Sequence, residues 1–422
     1  MNNKKYPWQN RFVCIFLTVN IILIMLATQL FFLPSTKGVN IPSFQERRGV
    51  WITNVASAVL FFPGSINRVI KELADHNFNT VYPVVWNRGY TFYPSSLAEK
   101  MIGKSQEPLL NRTRFNPDVL RVIVKECHQR EMDVITWFEY GLMIPKNSLV
   151  AQKHPDWLTH SQQGSLNPLY KDELAAKNTN NTDNLFQRLQ KYGYQKQASQ
   201  LVWLNPLHPE VQQLIKGLML EVIMNYQVDG VQLDDHFGLP VELGYDPLTI
   251  RIYQQEHGGK SPPKNPRNPQ WMAWRAKKLT MFMADLAKTI KTVNPEILIS
   301  LSPNSHAFSY QNYLQDWKTW VQQGLIDELV IQVYRNDLDS FNRELHQSAV
   351  KLARQKIPVS VGILSGTLNN TVKIEQIKQQ VETVRKQGFN GVSFFYWESL
   401  WGYLAPESPY KRRHVFDEMF SE

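Results

Sequence analysis

The sequence predicts an α/β fold of the (β/α)8 barrel class, preceded by one N-terminal transmembrane helix. Three observations predict it. Eight short, strongly apolar β-like runs alternate with longer runs spaced like amphipathic helices, the pattern of parallel strands buried on both faces. No Gly-rich G-x-G-x-x-G fingerprint marks a doubly wound open sheet. The 422 residues are enough for one large barrel with insertions.

The N-terminus reads as an address. Residues 1–12 form a basic flank with Lys4, Lys5 and Arg11 and no acid, and residues 13–33 are an apolar run of membrane-spanning length. Positive charge stays on the cytoplasmic side, which sends everything beyond the run outward. Phe31-Phe32-Leu33-Pro34 offers no small-x-small cleavage site, so a signal anchor is favoured over a cleaved peptide. Residues 34–43 are a linker, and 44–422 hold the barrel. The expected location is the inner or plasma membrane, single-pass, with the barrel extracytoplasmic (periplasmic).

The strand runs are Gly49–Val55, Thr80–Trp86, Met132–Phe138, Val228–Asp234, Ile297–Ser302, Leu329–Tyr334, Pro358–Ile363 and Gly391–Trp397. Ser65 is placed as the cap of a helix carrying Ile66, Val69, Ile70 and Leu73, and Asn116-Pro117-Asp118 opens the next. From Pro209, the residues Val211, Leu214, Ile215, Leu218, Met219, Val222, Ile223 and Tyr226 trace one apolar stripe. Thr371 is placed as the cap of a helix carrying Ile374, Ile377, Val381 and Val384. Two connections are long, at about 139–205 and 237–269. Both follow strands, and loops after strands wall the C-terminal mouth of a barrel.

Strand parity then selects residues. Gln232 and Asp234 point to the axis, with Asp235 and His236 opening the loop. The third run ends Trp137-Phe138-Glu139-Tyr140 and the eighth Phe395-Tyr396-Trp397-Glu398, each setting a carboxylate beside aromatics. The second ends Trp86-Asn87-Arg88, the fifth reaches Asn304, and the sixth supplies Gln332, Tyr334 and Arg335. Each has a plain structural reading: a plug, a turn cap, or an ion pair of Glu398 with Arg335 or Arg88. As a set they supply what glycoside hydrolysis needs, two carboxyl groups facing one bond and flat apolar faces for sugar rings. Asp234, Asp235, Glu139 and Glu398 are the candidate catalytic carboxyls. Trp157, in the first long connection, fits either a subsite or packing.

Other classes are disfavoured. The net charge of +9 is scattered among acids and gives no nucleic-acid patch. Cys14 lies in the apolar run, leaving Cys127 as a lone core thiol without a disulfide partner. No organic cofactor motif is visible. Asp234-Asp235-His236 raises a metal-dependent polysaccharide deacetylase as an alternative, but the ten histidines form no H-x-H or H-x-x-x-H pair, and no metal site is assigned. A barrel that binds glycan without cleaving it is the other alternative.

Arg48-Gly49-Val50-Trp51-Ile52-Thr53, Leu204-Asn205-Pro206, Asp229-Gly230-Val231-Gln232-Leu233-Asp234-Asp235 and Gln332-Val333-Tyr334 resemble motifs of the bacterial glycosyl-hydrolase-like 10 family, over about Gln45 to Gly402. The resemblance implies a (β/α)8 barrel of the glycosidase superfamily, usually exported or lipid-anchored, with some relatives acting on envelope glycan such as peptidoglycan strands. It implies a polysaccharide substrate, with the Asp234-Asp235 pair as its firmest match and Trp51 and Asn205 among the substrate-facing residues. Many relatives read Trp-Phe-Asn-Pro-Tyr-Arg after the third strand. Here Glu139 departs from that pattern, in a form similar to cyanobacterial relatives.

Overall fold

The computed structural model describes residues 46–167, 201–367 and 370–421. Eight parallel strands close into a barrel in sequential order: β1 (Arg47–Ile52), β2 (Thr80–Pro83), β3 (Asp133–Phe138), β4 (Gly230–Asp234), β5 (Leu298–Ser302), β6 (Glu328–Gln332), β7 (Val359–Leu364) and β8 (Gly391–Phe395). The (β/α)8 architecture is as the alternation predicts. The main helices are α1 (Ser65–Asp75), α2 (Val119–His128), α3 (Pro209–Asn225), α4 (Pro269–Val293), α5 (Trp317–Gln322), α6 (Ser348–Arg354), α7 (Ile374–Lys386) and α8 (Pro409–Phe420). Among the described residues, no helix is long and apolar enough to cross a membrane. The proposed anchor and linker lie outside the described residues.

Burial explains why the strands read as continuous apolar runs. Val50 and Ile52 face the helices while Gly49 and Trp51 face the axis, where Trp51 stacks on Tyr82 at 5.0 Å. Gly391 closes the barrel at β1. Its φ is 139°, and a Cβ there would fall 2.2 Å from the Arg47 carbonyl oxygen, so no other residue fits. On α3, the stripe from Val211 to Ile223 is buried throughout, as its spacing requires.

Several element ends differ from the sequence reading. Ser65 is the first helical residue, the cap being Gly64 in the left-handed region with no side-chain bond. Thr371 belongs to a two-residue strand paired with Gly366–Thr367, and α7 begins after Lys373. The second strand stops at Pro83. Trp86–Asn87 instead pairs with Tyr90–Thr91 around Arg88 and Gly89, both at positive φ, the twist that a two-residue hairpin needs. At the eighth strand the Ser399 hydroxyl accepts from the Tyr396 N–H, and Trp397–Leu400 becomes a helical turn.

Below the mouth, the barrel is filled. Trp51 Nε1 donates to Gln232 Oε1 at 2.8 Å, Gln232 Nε2 to Ser300 at 3.0 Å, and Ser300 to Glu328 at 2.8 Å. Arg47 ends the column, pairing with Glu328 at 2.9 Å and Asp133 at 2.7 Å. The ring of Trp51 also contacts Trp137 and Phe395, each at 6.3 Å, which closes the axis.

The two long connections are tied to each other. Buried Asp246 accepts from Asn205 Nδ2 at 2.8 Å, Thr159 at 2.9 Å and Thr249 N–H at 2.9 Å, and Asn205 Oδ1 accepts from Leu207 N–H. Arg275 of α4, wholly buried, donates to the carbonyls of Val241, Leu243 and Pro266. Trp157 is also fully buried, with Nε1 on Glu210 at 2.8 Å and His154 stacked at 3.7 Å, so it packs its connection. Asn205→Leu is expected to cost about 2–3 kcal/mol, the scale of losing a buried hydrogen bond to a charged group. A urea unfolding midpoint equal to that of the native chain would sink this account of Asn205.

Candidate active site

Five strand ends, those of β1, β3, β4, β5 and β6, build the centre of the mouth. Asp234, the last residue of β4, is buried and held by three N–H donors. Trp137 Nε1 reaches Oδ2 at 2.8 Å, while Gln332 Nε2 and the Asp235 N–H reach Oδ1, each at 2.7 Å. These bonds orient the carboxyl and favour its ionised form. Burial opposes them, and with the neighbouring charges of Asp235 and Glu139 it pushes the Asp234 carboxyl well above the usual range. Asp235 starts the loop and is partly open, accepting from Asn304 Nδ2 at 2.6 Å and facing His236 Nδ1 at 3.2 Å.

Glu139 lies one residue past the last β3–β4 pair, Phe138 with Leu233, as Asp234 does on its own strand. Parity therefore turns both carboxyls to the mouth on neighbouring strands, whose spacing is about 4.8 Å. Glu139 Oε2 accepts from Thr53 Oγ1 at 2.9 Å and Asn87 Nδ2 at 2.5 Å. Burial still pushes this carboxyl up to about 7, against those bonds and the nearby charges of His236 and Arg88. Thr53 was not selected from sequence. It shares the parity of Trp51 in the first strand motif, and that signal would have found it.

Tyr334 lines the same mouth. Burial and the charges of Asp234, Asp235 and Glu139 raise its phenol well above the ordinary value, and its ring packs at 5.8 Å from Phe395. His236 places Nδ1 at 3.0 Å from the Glu139 carbonyl, with Tyr140 5.6 Å from its ring. Gln332, Tyr334, Asn304, His236 and Arg88 are partly exposed at this rim.

Other selected residues are placed elsewhere. Trp51 and Gln232 belong to the column under the mouth, and Trp86 is fully buried with Nε1 on the Gly141 carbonyl at 2.9 Å. Asn205 belongs to the tie between the long connections. Arg335 pairs with Glu344 at 2.5 Å and not with Glu398. Glu398 sits in the turn after β8, buried, and neither carboxyl oxygen reaches hydrogen-bonding geometry with any described group. Burial pushes it up to about 7, offset in part by the nearby Ser57 hydroxyl. It opens, with half-buried Trp397, onto a separate cavity of about 460 Å³. Tyr396 is buried between the two carboxyls, its phenol raised by burial and by the charges of Glu398 and Glu139 among others.

Ligand atoms of Asp234, Asp235 and His236 all lie within 4.8 Å of one another, close enough for a cation. The hydrogen bonds fit that use poorly. Asp234 Oδ1 already accepts two N–H groups, Oδ2 accepts a third, and His236 Nδ1 faces a carbonyl oxygen that requires it protonated. The arrangement is a carboxyl cluster fed by N–H donors.

The sequence model of the family described as Glycosyl hydrolase-like 10 matches residues 46–177 and 184–384. Glycosyl hydrolase DigH of Escherichia coli (strain K12) is 26% identical over 331 residues, 69% of this chain and 66% of that protein. Glycosyl hydrolase YngK of Bacillus subtilis (strain 168) is 24% identical over 332 residues, 70% of this chain and 55% of that protein. The aligned region thus spans just under two thirds of the first relative and about half of the second. Among solved structures, the PgaB (BpsB) glycoside hydrolase domain of Bordetella bronchiseptica superposes with a TM-score of 0.58 at 13% identity, covering 86% of this chain and all of that one. The β-amylase catalytic domain of Paenibacillus polymyxa gives 0.55 at 8% identity, covering 89% of this chain and 98% of the other. At these identities the two structures speak to the fold.

Proposed function

Because the chain belongs to the glycosyl hydrolase-like 10 family, we propose that it is a glycoside hydrolase acting on a cell-envelope or extracellular polysaccharide, with peptidoglycan glycan strands the first substrate to test. The observation that carries this reading is the pairing, on neighbouring strand ends, of Asp234 under three N–H donors with Glu139, whose carboxyl burial pushes up to about 7. The names of the Escherichia coli and Bacillus subtilis relatives support it.

In this mechanism, Glu139 carries the proton. It gives that proton to the glycosidic oxygen as the C–O bond breaks, and the positive charge that develops on the sugar carbon is met by the Asp234 carboxylate. Asp234 either attacks that carbon or takes a proton from the water that does. Its N–H donors hold the carboxyl in one orientation throughout. Asn304 and His236 fix Asp235, whose charge keeps Asp234 basic. Glu139 is favoured over Glu398 as donor because it shares the mouth with Asp234, while Glu398 faces its own cavity.

The test is incubation of the full chain with peptide-free peptidoglycan strands and a panel of other polysaccharides, read by mass spectrometry. Fragments released by the native chain and not by Asp234→Asn support the hydrolase. Binding to a glycan without fragments on any substrate would make it a non-catalytic glycan-binding barrel.

Residues 13–33 are the anchor in this reading, holding an extracytoplasmic barrel at the inner or plasma membrane. Protease added outside that membrane should digest the barrel and leave a fragment of about thirty to forty residues, a span plus its flank. Protection of the whole chain would overturn the orientation.

A further inference from the structure

The cavity beside Glu398 is a feature the hydrolytic reading leaves unused. It is lined by Ala58 and Phe62 from the segment between β1 and α1, by Arg68 of α1, and by Trp397, Glu398 and Tyr403 after β8. Two of its aromatics are displayed to solvent, Phe62 at 58% and Tyr403 at 70% exposure, and Trp397 is half-buried. Tyr403 reaches across the cavity edge to bond the Ala56 carbonyl, tying the two segments together. At the inner wall stands Glu398, 4% exposed, with both Oε1 and Oε2 lacking a hydrogen-bond partner.

A buried carboxyl with only the nearby Ser57 hydroxyl to offset its burial is costly, and such a group in a native structure calls for an account. A ligand that brings two donors would supply it. Flat aromatic faces around a carboxyl acceptor suit a ring that is apolar on its faces and carries hydroxyls on its edge. A cationic ligand fits less well, since Arg68 already brings positive charge to the lining.

Resting on the glycan reading above, we infer that this cavity is a saccharide subsite separate from the Asp234 centre, holding one sugar ring whose adjacent hydroxyls donate to Glu398 among Trp397, Tyr403 and Phe62. The subsite would engage a glycan long enough to extend from the mouth over the β1 and β8 loops. A short oligosaccharide bound at the mouth would leave it empty.

The test uses the full chain carrying Asp234→Asn, so that the probe survives, and titrates β-1,4-linked N-acetylhexosamine oligomers of two and six rings by calorimetry. The hexamer should bind more tightly than the dimer. Adding Glu398→Leu should weaken the hexamer at least ten-fold and leave the dimer unchanged, and Glu398→Gln, which keeps one acceptor, should fall between. Tyr403→Ala, which leaves the buried carboxyl in place, provides the same readout should Glu398→Leu fail to fold. Hexamer affinity in Glu398→Leu and Tyr403→Ala equal to that of the Asp234→Asn parent overturns the subsite, as does failure of that parent to bind the hexamer. If the native chain nevertheless cleaves glycan, the hydrolase reading stands alone. Glu398-dependent binding without cleavage by the native chain upholds the subsite and removes the hydrolase.

Discussion

Asp234→Asn is expected to lower glycan cleavage by about 10³- to 10⁴-fold, the upper range for losing a positioned acid or base. The amide keeps the shape of the carboxyl but cannot form a bond to the sugar carbon or take a proton from water. Its carbonyl oxygen can still accept from Gln332 and the Asp235 N–H, while its NH₂ meets the Trp137 N–H, at a cost of about 1 kcal/mol for the lost bond. Replacing a carboxyl whose ionisation is opposed by burial and by Asp235 offsets this. The near-ultraviolet circular dichroism and melting temperature should therefore stay close to native while turnover collapses. An unfolded variant, or one that cleaves at the native rate, would remove Asp234 from the mechanism.

The second large effect concerns Glu139, through pH. With its carboxyl near 7, the native rate should fall on the alkaline side with a midpoint near 7 as the donor loses its proton. Glu139→Gln should be about 10²- to 10⁴-fold slower at pH 6 and should lack that alkaline limb. Stability carries the same signature with a defined sign. A carboxyl raised in the folded state binds its proton more tightly there, so its contribution is full below the unfolded value of 4.5 and is lost as pH rises to about 7. The loss is about 3 kcal/mol. Glu139→Gln should consequently melt higher than the native chain at pH 8 and not at pH 4. Parallel pH profiles for the two proteins would refute the assignment.

Most of the barrel is legible in the chain because buried parallel strands leave no choice of residue type. The eight apolar runs fall on the eight strands, and the polar interruptions at Gln232, Asp234 and Gln332 sit where parity puts them. Depth is not legible. Gln232 and Asp234 differ by one step of the same parity, yet Gln232 serves the column under the mouth and Asp234 its open face. Nor does sequence show where a strand stops being one. Glu398 follows its apolar run Gly391–Trp397 as closely as Glu139 follows Met132–Phe138, but β8 ends at Phe395 and the helical turn after Tyr396 carries Glu398 away to another cavity. The capping errors at Ser65 and Thr371 have a similar origin: either residue type can cap, and tertiary packing chose Gly64 and Lys373.

The rings of Trp51, Tyr82, Trp137 and Phe395 that close the axis set a rule of traffic. The barrel is a dead end, with one door for everything that enters. On the proposed function, a polymer would lie across this mouth and could not thread through it, so both pieces of a cut chain would leave by the face they entered.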